Sequence, residues 1–232
     1  MIILRKSTDR GRAEHGWLDS WHSFSFADYH DPAHVNFSVL RVINEDRVAA
    51  GQGFATHGHR DMEILSYVLS GSLQHRDSMG NGKVMTWGEV QLMSAGTGVM
   101  HSEFNPSVTE GVHFLQIWIV PNQQGVTPGY QQKHFSAEEK RGRWCLLISP
   151  DGNSGSLKVH QAANVYAALV NGDETLSFAI PPGRNVYLHL ARGAVRCGEY
   201  ALAAGDALMF SGEHALQLEQ GKEAELLLFD LP

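Results

Sequence analysis

The sequence predicts an all-β protein built as two β-barrels in one chain, and three observations carry that expectation. Short apolar runs recur at close intervals bounded by Gly, Asn, Asp or Pro, the pattern of strands and turns, and the chain holds 24 glycines to serve those turns. The later half repeats the earlier one, with Gly193 following an apolar strand as Gly71 does and Gly205-Asp206 falling near the place of Gly88-Glu89. Between the halves lies PNQQGVTPGYQQK, Pro121 to Lys133, a polar segment with two Pro and two Gly that reads as a linker. The expected division is 1–130 and 131–232, with 43% hydrophobic residues to supply a core for each.

The elements follow in order. Trp17, Trp21, Phe24, Phe26 and Tyr29 crowd one short run, expected to pack the outside of the first barrel and close an edge rather than to wall a pocket. Phe37 to Ile43 reads as a strand and Asn44-Glu45-Asp46 as a turn. Ile64 to Leu69 is an apolar strand, Ser70-Gly71 a hairpin turn, Leu73 to Arg76 the returning strand, and Met79-Gly80-Asn81-Gly82 a second turn. Gly111 to Pro121 is a nearly continuous strand. Ser136-Ala137-Glu138-Glu139 matches a capping box and opens one short helix, and the run EEKRGR reads as a solvated face. From Trp144 on, WCLLIS, LKVHQ, VYAALV, TLSFAI, VYLHLA, ALMFS, HALQLE and AELLLFD make the second barrel.

Composition removes several classes of function. The charge is 18 − 25 = −7, which opposes phosphate backbones, so direct nucleic-acid binding is not expected. Cys145 and Cys197 have no CxxC spacing and are expected reduced and buried. The apolar run in MIILRKSTDRGR is too short for a signal peptide, and no stretch reaches the length of a membrane span. The expectation is a cytoplasmic monomer with no membrane partner.

The chemistry concentrates between Gly51 and Asn105. His57 and His59 stand at i, i+2, as do His101 and Glu103. On a strand that spacing puts both members of a pair on one face, about 7 Å apart. Two such strands facing one cavity supply three imidazoles and a carboxylate to a single divalent transition metal. With no Cys nearby and a hard oxygen donor, the set suits an octahedral ion with open positions; Fe(II) is the first choice, and Cu, Ni, Mn, Co and Zn also fit. Glu63 shares the strand parity of His57 and His59, so parity does not decide between Glu63 and Glu103 as the carboxylate. Glu63, Gln91 or Asn105 is expected to orient a ligating imidazole. His75 and His113 stand outside the two pairs and read as pocket-wall or surface residues. In the second half His189 and His214 stand alone, so that barrel is expected to bind no metal. Phe54, Met85, Trp87, Leu92 and Met93 are candidate apolar walls for a flat aromatic ligand.

These residues carry a resemblance. Gly51, His57, His59, Glu63 and Gly71 follow the order of the first cupin motif, and Gly88, Gly96, His101 and Asn105 that of the second. The Gly-rich turn leading into His-x-Glu, AGTGVMHSE from Ala95 to Glu103, resembles the pirin family, and GWLDSWHSFSFADYHDP, Gly16 to Pro32, resembles its bacterial members. The resemblance implies a bicupin: a metal-binding jelly-roll-like barrel followed by one without ligands. It implies His57, His59, His101 and Glu103 as the metal ligands, with Glu63 beside them or in substitution. It further implies quercetin 2,3-dioxygenase activity on a small aromatic substrate and dioxygen, with Glu103 as ligand and base. The family also implies an alternative of another class, a metal- or redox-sensing regulator that acts through protein partners without turnover.

Overall fold

A computed structural model describes all 232 residues, Met1–Pro232. The chain is all-β, with helix confined to Ala137–Lys140 and the 3-10 turns Ser7–Asp9 and Asn153–Gly155. It groups into two compact units, one of Gly11–His134 with Val159–Gln161, the other of Met1–Arg10, Phe135–Lys158 and Ala162–Pro232.

The first unit holds two antiparallel sheets. One has seven strands in the order Gly129–His134, Glu89–Ser94, Glu63–Ser70, Val112–Ile119, Leu40–Val48, Leu18–His22 and Gly11–Glu14. The other has four, in the order Gly53–His59, Val99–Phe104, Ser72–Asp77 and Gly82–Thr86. Alternating side chains of both sheets fill the space between them, including Val48, Val68, Leu73, Met85 and Phe114 in one cluster.

Three elements of this unit differ from their sequence reading. Ser70-Gly71 does not close a hairpin: Glu63–Ser70 pairs with Val112–Ile119 and Glu89–Ser94, whereas Ser72–Asp77 pairs with Val99–Phe104 and Gly82–Thr86. The turn carries the chain from one sheet to the other. Gly71 does this at φ +74°, where an added Cβ would lie 2.5 Å from the Gly111 carbonyl oxygen. Left-handed strain and the backbone clash together make Gly71→Ala cost about 3 kcal/mol, expected as a lowered midpoint in thermal denaturation of the metal-free protein. Asn44-Glu45-Asp46 is not a turn but the middle of the strand Leu40–Val48, all three residues buried and paired with partners on both sides. Part of the polar linker is also strand: Gly129–His134 pairs along Glu89–Ser94 as an edge. Polar composition was a poor guide in both places because one stretch faces a polar-lined cavity and the other is an edge.

The second unit is one nine-stranded sheet. Its main path runs Ile2–Arg5, Ala207–Ser211, Asn185–Cys197, Ala215–Leu231, Asn164–Gly172, Cys145–Ser149 and Leu157–Lys158. HALQLE and AELLLFD are one 17-residue strand, Ala215–Leu231, since Gln220 (φ +54°) and Glu223 (φ +47°) bend the ladder without ending it. Register shifts against Asn185–Cys197 let these two long strands curl around a core that includes Leu188, Leu190, Phe210, Leu226 and Leu228. The capping box at Ser136 forms with Glu139. The run after it is not wholly solvated, because Lys140 is fully buried, 3.9 Å from Glu225. Cys145 and Cys197 are free thiols, Cys197 buried and Cys145 partly exposed. His189 is buried, with no second ligand residue at i+2.

Candidate metal centre

The four-stranded sheet brings the two sequence pairs face to face. Gly53–His59 and Val99–Phe104 run antiparallel with His101 opposite His57 and Val99 opposite His59, and a register shift falls between His101 and Glu103. Three imidazoles converge: His101 Nε2 lies 2.9 Å from His57 Nε2 and 3.0 Å from His59 Nε2. The rings stand at steep angles to one another, so the nitrogens meet at their tips.

Three imidazole lone pairs gain from such an approach only where a proton or a cation lies among the nitrogens. Burial, then the neighbouring His57, pushes His59 down to about 4, and burial with His57 and His59 pushes His101 down to about 2. Both rings are therefore neutral near pH 7, with lone pairs available. His57 Nδ1 donates to the Ala55 carbonyl at 2.8 Å, which leaves its Nε2 as the acceptor nitrogen. Neighbouring donors of an octahedral ion with bonds of about 2.1 Å lie about 3.0 Å apart, so the donor set fits a divalent transition metal.

Glu103 shares His101 but belongs to a second close set, with His75. Its carboxylate is fully buried. Gln116 Nε2 donates to Oε2 at 3.0 Å, and Ser66 Oγ lies 3.1 Å from Oε1 and 2.8 Å from Gln116 Oε1. Burial lifts the Glu103 carboxyl to about 7; the Ser66 hydrogen bond opposes that, and nearby Asp46 adds to it. A cavity of about 140 Å³ opens beside His57 and Glu103, between the two sheets. Leu18, Phe26, Phe54 and Trp118 supply apolar wall, and Ser20, His22, Asn44 and Asp46 a polar one. Trp118 stands edge-on to His59 (5.0 Å) and to Phe26 (5.4 Å). Ser20 Oγ donates to Asp46 Oδ1 at 2.5 Å and lies 2.9 Å from His22 Nε2. Burial raises the Asp46 carboxyl to about 7 against that Ser20 bond.

Comparison with known proteins places the whole chain. The family model described as Pirin matches residues 4–119, and that described as Quercetinase C-terminal cupin domain matches residues 146–231. A protein of Escherichia coli (strain K12) named quercetin 2,3-dioxygenase is 49% identical over 232 residues, covering 100% of this chain and 99% of that protein. This chain belongs to the pirin family. A relative from Pasteurella multocida named putative quercetin 2,3-dioxygenase is 42% identical across the full length of both chains. The solved structure of the bacterial pirin YhhW from Escherichia coli, in complex with nickel(II), superposes with a TM-score of 0.95 at 49% identity, covering 100% of this chain and 99% of that one.

Within this pirin the other expected residues fall as follows. Glu63 is buried but turned toward a different set: Ser94 Oγ donates to its Oε2 at 2.9 Å, and His160 Nδ1 lies 3.2 Å from its Oε1. Asn105 does not orient an imidazole; its Nδ2 donates to the Val48, Ala49 and Glu110 carbonyls. Gln91 reaches His75, at 3.4 Å. Of the candidate walls Phe54 lines the cavity, whereas Met85 and Met93 are packed in core clusters. Phe26 lines the cavity too, so the aromatic run contributes to the pocket as well as to the edge. His113 pairs with Glu45 at 2.9 Å. His75, read as wall or surface, is fully buried beside His101. Sequence reasoning missed Ser66, Gln116, Asp46 and Ser20, which come from the seven-stranded sheet and carry no ligand-like spacing. It had a signal for His75, since His75-Arg76-Asp77 is itself an i, i+2 pair of imidazole and carboxylate.

Proposed function

We propose that this chain is a metal-dependent dioxygenase that opens the ring of a flavonol such as quercetin with loss of carbon monoxide. One divalent transition ion is held by His57, His59, His101 and Glu103, with Fe(II) the first choice. The observation that carries the reading is the convergence of three imidazole tips beside an aromatic-walled cavity with one buried carboxylate on its wall. The names of full-length relatives support the same substrate class.

When bound, the ion supplies a Lewis acid for the substrate hydroxyl and a route for electrons to dioxygen. The chain's own residues do the rest. Trp118, Phe26, Phe54 and Leu18 receive flat rings and exclude water. Glu103 takes the proton of the flavonol 3-hydroxyl. Burial disfavours the charged form of this carboxylate, which makes it a better base than an exposed one. Gln116 and Ser66 keep the carboxylate aimed while the proton moves.

The test is oxygen consumption with quercetin by anaerobically purified, metal-analysed protein, wild type against His59→Ala. Uptake with carbon monoxide release in the wild type, lost with the metal in the variant, is the expected result. A protein loaded with one equivalent of metal that consumes no oxygen would overturn the reading and favour a regulator.

A further inference from the structure

The Nε2 of His101 faces the two other imidazoles, so in a metal-holding state its proton must sit on Nδ1. The nearest ring nitrogen to that atom is Nδ1 of His75, at 3.4 Å. Two ring nitrogens facing each other share one hydrogen: one presents N–H and the other a lone pair. Asp77 decides which. Its Oδ2 lies 2.9 Å from His75 Nε2 and also accepts from Asn81 Nδ2 at 2.8 Å, while the backbone N–H groups of Met79 and Asn81 donate to Oδ1 at 2.9 and 3.0 Å. A carboxylate with donors on both oxygens serves His75 only as an acceptor. His75 then carries its hydrogen on Nε2 and offers the Nδ1 lone pair. Gln91 Nε2, a donor, also lies 3.4 Å from that Nδ1, as a lone pair there requires.

The surroundings hold the relay in place. The His75 and Asp77 side chains are both 0% exposed, so water does not compete for their hydrogen bonds. Sheet register sets the order, with Asp77 opposite His101 and His75 opposite Glu103. Tyr130 lies over the His75 ring at 4.9 Å. His57 achieves the same outcome by a shorter route, through the Ala55 carbonyl.

We propose that Asp77 and His75 are positioning residues for the metal centre: Asp77 fixes the tautomer of His75, which fixes that of His101 and turns its Nε2 lone pair toward the ion. The proposal rests on the ligand reading above. It predicts a specific failure in Asp77→Asn. This near-isosteric change keeps an oxygen for the two backbone donors but sets an amide N–H against His75 Nε2. The His75 hydrogen moves to Nδ1, the His101 hydrogen moves to Nε2, and an N–H points where the ion should bind.

The experiment is calorimetric titration of nickel(II) into the metal-free full-length chain, with the absorption spectrum of the loaded protein recorded alongside. Wild type is expected to bind one equivalent. Asp77→Asn and His75→Phe are expected to bind about 10- to 100-fold more weakly, with a shifted ligand-field spectrum. His75→Asn puts an oxygen acceptor close to the position of Nδ1 and leaves a larger packing defect than Phe; it is expected to recover most of the affinity and the wild-type spectrum. Equal weakening by Phe and Asn would reduce His75 to a packing role and overturn the relay. Wild-type affinity and spectrum in Asp77→Asn would overturn it as well. His75, His101 and Glu103 also form a close buried set, so two equivalents bound by wild type would place a cation on His75 Nδ1 and exclude the relay. A parallel His59→Ala titration separates the two readings: nickel bound as in wild type would sink the ligand assignment itself, and the relay with it.

Discussion

A His101→Ala chain is expected to bind nickel(II) or iron(II) roughly 10²- to 10³-fold more weakly than wild type. His101 is the central donor, since its Nε2 lies within 3.0 Å of the Nε2 atoms of both other imidazoles and its side chain is almost wholly buried. A tightly held ion bound by four protein ligands gains roughly 10 to 16 kcal/mol, so one lost ligand costs about 2.5 to 4 kcal/mol. Ligand-linked stabilisation should shrink with it: added metal raises the wild-type unfolding midpoint by mass action and should raise that of the variant by less at the same metal concentration. Calorimetry and thermal denaturation with and without metal read both effects. Unchanged affinity in His101→Ala would remove the three-histidine centre.

Glu103→Gln should separate holding the ion from moving the proton. The amide keeps an oxygen where the carboxylate stood but cannot accept the substrate's proton, so turnover should fall by about 10²- to 10⁴-fold while part of the metal affinity remains. A pH effect goes with it. The Glu103 carboxyl of the metal-free protein, raised to about 7 by burial, keeps its proton below that pH, and an incoming ion has to displace it. Wild-type affinity should therefore rise with pH more steeply than that of Glu103→Gln, by about tenfold per unit, up to about 7. His59 and His101, pushed down to about 4 and about 2, release no proton in that range. Glu103→Gln should lack the one-proton slope. Wild-type turnover in the variant would end the role of Glu103 as base, and an identical slope in both proteins would end its role as ligand.

The conjunction of His57, His59 and His101 was legible because a strand alternates with a period of two, and each pair needed only that alternation to share a face. The capping box at Ser136 and most strands were legible for the same reason, since each is a short-range pattern. Asn44-Glu45-Asp46 misled because three polar residues in a row look like a turn wherever they stand; here they occupy the middle of a strand flanked on both sides, and Asn44 and Asp46 line the cavity. Lys140 misled likewise, a charge in a charged run that a single helical turn buries beside Glu225.

Local spacing along the chain was enough for the all-β class, the two pairs of candidate ligands and the absence of a matching pair in the second half. Sheet order and register decided the rest. They set Glu103 against Gln116 and Ser66, turned Glu63 toward His160, ninety-seven residues away, and put Asp77 opposite His101. Alternation is a property of neighbours in one strand, whereas register is settled by burying whole faces together. Which carboxylate meets which imidazole therefore follows from packing the two sheets, and no spacing within a strand encodes it.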